Sequence, residues 1–219
     1  MFERLIDIDK SWLLSINGAR ASWADTLMWH ISQAGTWLPL YVLLIMVLLL
    51  KFRGQRTAKG IRLFSFDIHF PLSVIALVMM AIAVGGADLI CAQLIKPLVA
   101  RPRPTHDAEI SVFVHIVNGY RGGAYGFCSN HAANTMACAT LFTAIITHGK
   151  PAYTHAYVTL PMMLWVAINC YSRMYLGVHY PLDILAGLTV GVFTALIVWY
   201  LLRGCLYPTE ECGHHADAG

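Results

Sequence analysis

Five long apolar stretches with few charged residues inside them leave this chain few folds to choose from. They run over residues 36–50, 70–95, 131–147, 157–171 and 182–202. A helix crossing the hydrocarbon core of a bilayer needs roughly 20 apolar residues, and it satisfies its backbone polar groups internally. Some stretches fall short of that as bounded here, so their helices are expected to extend into the flanks. The chain is 58% hydrophobic and 12% charged, whereas soluble domains carry about 25% charged residues. The expected fold class is an all-α membrane protein, a bundle of five to six transmembrane helices forming a single domain over residues 1–205. A polar tail follows at 206–219, assigned to the cytoplasm.

Residues 2–32 are different in kind. Apolar positions there alternate with Asp7, Asp9, Lys10, Asn17, Arg20 and Asp25, and Trp12, Trp23 and Trp29 suit the headgroup zone. Charge at bilayer depth is costly, so this segment reads as an N-terminal interfacial helix in preference to a poorly inserted first span. It lacks a basic start, an apolar run and a small-residue cleavage site, so no removable signal is expected.

Charge placement supplies an orientation. Lys51, Arg53, Arg56, Lys59 and Arg62 crowd the short connection between the first two stretches, and an excess of Lys and Arg marks cytoplasmic loops. Alternating from there, the end of the second stretch, the start of the third and the turn between the fourth and fifth share the extracytoplasmic face. The net charge of +3 and the absence of a long basic run argue against a nucleic-acid partner. The cysteines show neither a disulfide framework nor a C-x2-C pair, and the histidines show no metal-ligand spacing.

Three polar motifs fall on that one face. The first, Lys96-x6-Arg103-Pro104, follows directly on an apolar run. Such cations can simply snorkel to headgroups, but the Arg101-Pro102 and Arg103-Pro104 steps favour extended backbone, which aims the guanidinium groups. The second, Ser129-Asn130-His131, follows a glycine-rich segment and opens the third stretch. A capping serine or asparagine there would turn the free N–H groups of a helix toward an anion. The third, Ser172-Arg173-x5-His179-x3-Asp183, sets a carboxylate one helical turn beyond a histidine. It can accept the imidazole N–H and leave the other nitrogen free to attack. Fixed cations, two histidines and a carboxylate together suit phosphoryl transfer.

Residues 96–183 resemble the type-2 phosphatidic acid phosphatase superfamily of membrane lipid phosphatases, whose pattern is K-x6-R-P, P-S-G-H and S-R-x5-H-x3-D. The first and third motifs match in full. In the second, Cys128 stands for proline and Asn130 for glycine, while Ser129 and His131 remain. Asparagine tolerates left-handed backbone, which would preserve a cradling turn. The resemblance implies that His179 attacks phosphorus to form a phosphohistidine, that Asp183 orients it, and that His131 protonates the leaving oxygen. Lys96, Arg103, Ser129, Asn130 (through nearby backbone N–H groups) and Arg173 would hold the phosphoryl oxygens. No cofactor and no metal are expected, because side-chain cations replace Mg²⁺.

The implied partner is a membrane lipid phosphate, with the protein in a bacterial inner membrane and its site facing the periplasm or exterior. Breadth of family use favours undecaprenyl diphosphate. Lipid A at its 1- or 4′-phosphate and phosphatidylglycerophosphate are the alternatives. Residues 107–125 form a long segment that could act as a lid. A transporter or anion-binding membrane protein would instead place charges near mid-span and show paired broken helices. A haem protein would leave Lys96, Arg103 and Asp183 unexplained. A phosphotransferase would share the pocket and differ only in acceptor. Gly187, Gly191 and Ala195 suit close helix packing inside the bundle, or a dimer seam; the oligomeric state is left open.

Overall fold

Helix boundaries follow the prolines. The structure is a computed structural model and describes residues 2–57, 61–63, 66–68 and 70–208. Pro39 lies in the first turn of α3 (Leu38–Lys51), Pro71 precedes α4 (Leu72–Leu89), Pro151 precedes α7 (Ala152–Tyr175), and Pro181 opens α8 (Pro181–Leu206). Proline suits these places because the first helical N–H groups lack intrahelical partners anyway. α4 runs on through a π turn (Ile90–Ile95) into the short α5 (Lys96–Val99), which ends at Ala100 in left-handed backbone. α6 (Asn130–Thr147) is capped by Ser129, whose Oγ accepts the Ala132 N–H at 3.4 Å. These helices cover the third, fourth and fifth apolar stretches and extend beyond them, and take in all but the first two residues of the first and second.

Among the described residues, three stretches, Ala34–Lys51, Leu72–Val99 and Pro181–Leu206, are long and apolar enough by themselves to cross a membrane. α6 and α7 have comparable length and more polar sequences. α6 tolerates this because it is the central helix, packed on α4, α7 and α8, so most of its surroundings are protein rather than lipid. Its seam with α8 depends on glycine. A Cβ at Gly187 would lie 2.4 Å from the Ser129 carbonyl oxygen, and one at Gly191 would lie 2.4 Å from that of Ala133. Gly187, Gly191 and Ala195 therefore serve packing inside the bundle.

Two features depart from the sequence reading. The N-terminal segment is two helices, α1 (Phe2–Gly18) and α2 (Ser22–Ile31), where one was expected. They fold over the ends of α7 and α8 because Asn17 donates to the carbonyls of His115 (2.9 Å) and Tyr175 (2.7 Å), while Asp25 accepts the Tyr175 hydroxyl (2.7 Å). The basic connection also contains a small antiparallel hairpin, β1 (Ile61–Leu63) with β2 (Phe66–Ile68), in a chain expected to be all-α. Lys59 and the tail from residue 209 lie outside the described residues. Lys51 approaches the Ile146 carbonyl (3.5 Å) and Tyr207 donates to that of Ile145 (2.6 Å), which puts the basic connection, the α6–α7 turn and the end of α8 at one end of the bundle. The three motifs lie at the other.

Candidate active site

The third motif is a helix end, a turn and a helix start. α7 closes just after Arg173, and Gly177, at φ +68°, reverses the chain. A Cβ at Gly177 would sit 2.4 Å from Val114, so both the backbone and the space demand glycine. His179 follows, 1% exposed, and Asp183 in the first turn of α8 is fully buried. Asp183 Oδ2 accepts the Tyr180 N–H (3.0 Å) and lies 3.4 Å from His179 Nδ1. That separation is an electrostatic contact rather than a formed hydrogen bond. Asp183 Oδ1 accepts from Arg101 at 3.1 Å.

The first two motifs close around this histidine. Arg101 and Arg103 lie in extended backbone, as the Arg-Pro steps predict, because the segment pairs with residues 124–126: the Arg103 N–H donates to the Ala124 carbonyl (3.0 Å) and the Gly126 N–H to that of Arg101 (2.9 Å). Gly122 and Gly126 let this loop approach. A Cβ at Gly122 would meet Arg103 Nη1 at 2.5 Å, and one at Gly126 would meet Asp183 Oδ2 at 3.0 Å. The Ser129 N–H donates to the Asp183 carbonyl (3.0 Å), joining the second motif to the third.

Lys96 donates to Asn130 Oδ1, and Asn130 Nδ2 donates to Asp88 Oδ1 at 2.7 Å. Arg173, 3% exposed, donates to the hydroxyls of Ser32 and Tyr120, the latter at 3.2 Å. His131, half-buried at the start of α6, lies against the Ser32 backbone.

Two donors in this cluster, Arg103 Nη1 and Arg173 Nε, are buried and have no partner among the described residues. Buried donors left unpaired carry a desolvation cost, which an anionic oxygen would remove. Burial pushes the His179 imidazole well below its ordinary pKa, and the charges of Arg103, Arg173 and Lys96 push it the same way, with His131 adding to them. The ring is therefore neutral near pH 7 with a nitrogen lone pair available. Burial and the neighbouring Arg173 also lower Arg103, a crowding of like charges that a phosphate dianion would relieve.

Comparison with known proteins places the arrangement. The PAP2 superfamily pattern matches residues 71–206. The chain belongs to the PAP2 superfamily. It is 31% identical over 202 residues to a lipid A 4′-phosphatase of Bacteroides thetaiotaomicron, covering 92% of this chain and 80% of that protein. It is 29% identical over 218 residues to a lipid A 4′-phosphatase of Porphyromonas gingivalis, covering 99% and 83%. Among solved structures, the transmembrane PAP2-type phosphatidylglycerolphosphate phosphatase of Bacillus subtilis superposes with a TM-score of 0.63 at 18% identity, over 91% of this chain and 87% of that one. Fold and family together make this chain a multi-pass PAP2 membrane enzyme acting on lipid phosphates.

Of the eight PAP2 positions named from sequence, Lys96, Arg103, His131, Arg173, His179 and Asp183 meet around one buried imidazole, and Ser129 and Asn130 frame it at the head of α6. Asn130 does so differently from expectation. It is the first helical residue of α6, not a left-handed one, because Ser129 already ends the loop; its contribution is a side-chain bridge from Lys96 to Asp88. Sequence reasoning passed over Asp88, Asp9 and Ser32 as site residues, and took Tyr120 only as part of the 107–125 segment. Asp88 carried a usable signal, since a carboxylate inside an apolar stretch marks a functional neighbourhood by default. Ser32 carried none, being an ordinary polar residue brought in by tertiary contact, and the contact of Tyr120 with Arg173 is likewise tertiary.

Proposed function

We propose that this chain is a metal-independent lipid A phosphatase, acting at the 4′-phosphate through a phosphohistidine at His179. The observation that carries it is the pair of unpartnered buried donors, Arg103 Nη1 and Arg173 Nε, in a site centred on a buried neutral imidazole. Phosphoryl transfer depends mainly on positioning and charge neutralisation, which such a cluster supplies. In the first step the free ring nitrogen of His179 forms a bond to phosphorus, the ester P–O bond breaks, and His131 gives its proton to the departing lipid oxygen. In the second, water attacks phosphorus, His131 takes its proton, and the N–P bond breaks to release phosphate. Asp183 stabilises the imidazolium character that develops on His179. Lys96, Arg103, Arg173, the Ser129 hydroxyl and the backbone N–H groups near Asn130 hold the oxygens.

Undecaprenyl diphosphate, favoured on family breadth, gives way to lipid A, because the relatives matched along nearly the whole chain are lipid A 4′-phosphatases. A cavity of about 340 Å³ between α3, α4, α6 and α7 also suits a lipid. It is lined by Leu44, Leu48, Leu77 and Met80, and by Asn134 one helical turn from Asn130, so an acyl chain could lie beneath the headgroup. The site sits opposite Lys51, Arg53 and Arg56, which supports a periplasmic orientation in a bacterial inner membrane.

The test is phosphate release by purified protein in EDTA from lipid A, undecaprenyl diphosphate and phosphatidylglycerophosphate in parallel. Mass spectrometry would locate the phosphate remaining on lipid A. Loss of the 4′-phosphate supports the proposal. Preferred release from another lipid, loss of the 1-phosphate alone, or activity that EDTA abolishes and Mg²⁺ restores would refute the part concerned.

A further inference from the structure

The family pattern begins at residue 71, yet one carboxylate of this site comes from α1. Asp9, 3% exposed, has both oxygens committed to the surroundings of Asp183. Its Oδ2 accepts from Arg101 Nη2 at 2.7 Å, and its Oδ1 accepts the N–H of Leu182, the residue before Asp183, at 2.9 Å. The other arm of the same guanidinium, Nη1, donates to Asp183 Oδ1 at 3.1 Å. Arg101 is further fixed by stacking 3.8 Å above the Tyr180 ring, and the Tyr180 hydroxyl donates to Asp107 at 2.8 Å. Lys10, next to Asp9, pairs with that same Asp107 at 3.5 Å. Asp9, Arg101, Asp183 and His179 thus form one continuous series of charged groups from the N-terminal helix to the imidazole.

We propose that Asp9 is a positioning residue for His179: it holds Arg101 so that the guanidinium fixes Asp183, and Asp183 in turn orients and stabilises the imidazole. This rests on the phosphatase reading. The chemistry needs such a residue. Arg101 facing Asp183 alone would neutralise the carboxylate that must answer positive charge developing on His179. A second carboxylate shares the guanidinium and leaves the group of three with a net negative charge. The planar fork reaches both carboxylates in fixed geometry, which a lysine in its place could not do. Asp9 touches no substrate-facing donor, so its effect falls on the chemical step rather than on binding.

Asp9→Asn tests this, because it keeps volume and keeps an oxygen for the Leu182 N–H while removing the charge. The expected result on the lipid substrate is a fall in kcat on the order of tenfold with KM within about twofold. In Arg101→Gln the same substitution should cost little more, since the two act as a unit. Asp7→Asn, on an exposed position of α1, should leave turnover unchanged. A histidine NMR titration, assigned with His179→Gln, reads the coupling without any substrate. His179 is faced by Lys96, Arg103, Arg173, His131 and Asp183, and removing the Asp9 charge makes that potential more positive. Its pKa should move down in Asp9→Asn and stay put in Asp7→Asn. An unmoved titration, an unchanged kcat, or losses that simply add to those of Arg101→Gln would make Asp9 a structural anchor only. Wild-type protein that releases no phosphate would count against the lipid phosphatase reading alone, and the titration would still decide the role of Asp9.

Discussion

Gly187→Ala should damage both stability and turnover, and the structure sets the size of the effect. The added Cβ would lie 2.4 Å from the Ser129 carbonyl oxygen and 3.0 Å from the Ala132 side chain, whereas ordinary contact begins near 3.4 Å. The obstacle is backbone of α6, which cannot rotate away as a side chain would, so α6 and α8 must separate by about 1 Å. Overpacking of this kind costs about 1–3 kcal/mol, a fall in Tm of roughly 2–12 °C for a chain this size. The separation also stretches the Ser129 N–H to Asp183 carbonyl bond, now 3.0 Å, which ties the head of α6 to the histidine motif. A displacement near 1 Å between reacting groups costs on the order of 10²-fold in rate. The assay is thermal unfolding in detergent alongside phosphate release, with Gly85→Ala as control, since nothing lies within 4 Å of a Cβ at Gly85. If Gly187→Ala matches Gly85→Ala in both, the close α6–α8 contact, and the reasoning built on it, is wrong.

Other predictions concern the site itself. His179→Ala should reduce phosphate release to background, whereas Asp183→Asn should retain a small measurable rate, lower by on the order of 10²- to 10³-fold, because misorienting a nucleophile costs less than deleting it. A wild-type rate in Asp183→Asn would remove Asp183 from that role. Arg173→Lys should lower kcat/KM by on the order of 10²-fold, since one ammonium cannot meet Ser32, Tyr120 and a phosphoryl oxygen together; a near-normal rate would make Arg173 a headgroup contact. In the pH profile of kcat/KM, the limb belonging to His179 should lie below pH 6.5, because its folded pKa is depressed. The unfolded chain then binds more protons in that range, so His179 makes stability fall as pH drops below 6.5. A limb at or above 6.5 would contradict the burial of a neutral ring among cations.

Much of this molecule could be read from short-range pattern. The helices announce themselves through apolar runs bounded by Pro39, Pro71, Pro151 and Pro181, and spacing alone puts Asp183 one turn from His179. Alternation of helix direction alone brings three distant motifs to one end of the bundle. What stayed hidden depends on contacts between segments far apart in sequence. Asp9 and Asp25 looked like obstacles to membrane insertion, yet one joins Arg101 and the other Tyr175. Asn130 looked like a backbone substitute for glycine, but the helix had already begun at that position, which left its side chain to bridge Lys96 and Asp88. The lipid identity was illegible for a related reason: Tyr120, Ser32 and the cavity beneath α6 are assembled by tertiary packing and carry no local code.

The most direct test of the account is a single turnover with lipid A labelled at its 4′-phosphate, quenched in alkali to preserve phosphohistidine, followed by peptide mapping. The account predicts a transient label on the peptide containing His179, absent from His179→Ala and longer-lived when the water-activating His131 is replaced by glutamine. Phosphate released at the wild-type rate with no protein-bound label, or a label on a different residue, would contradict it.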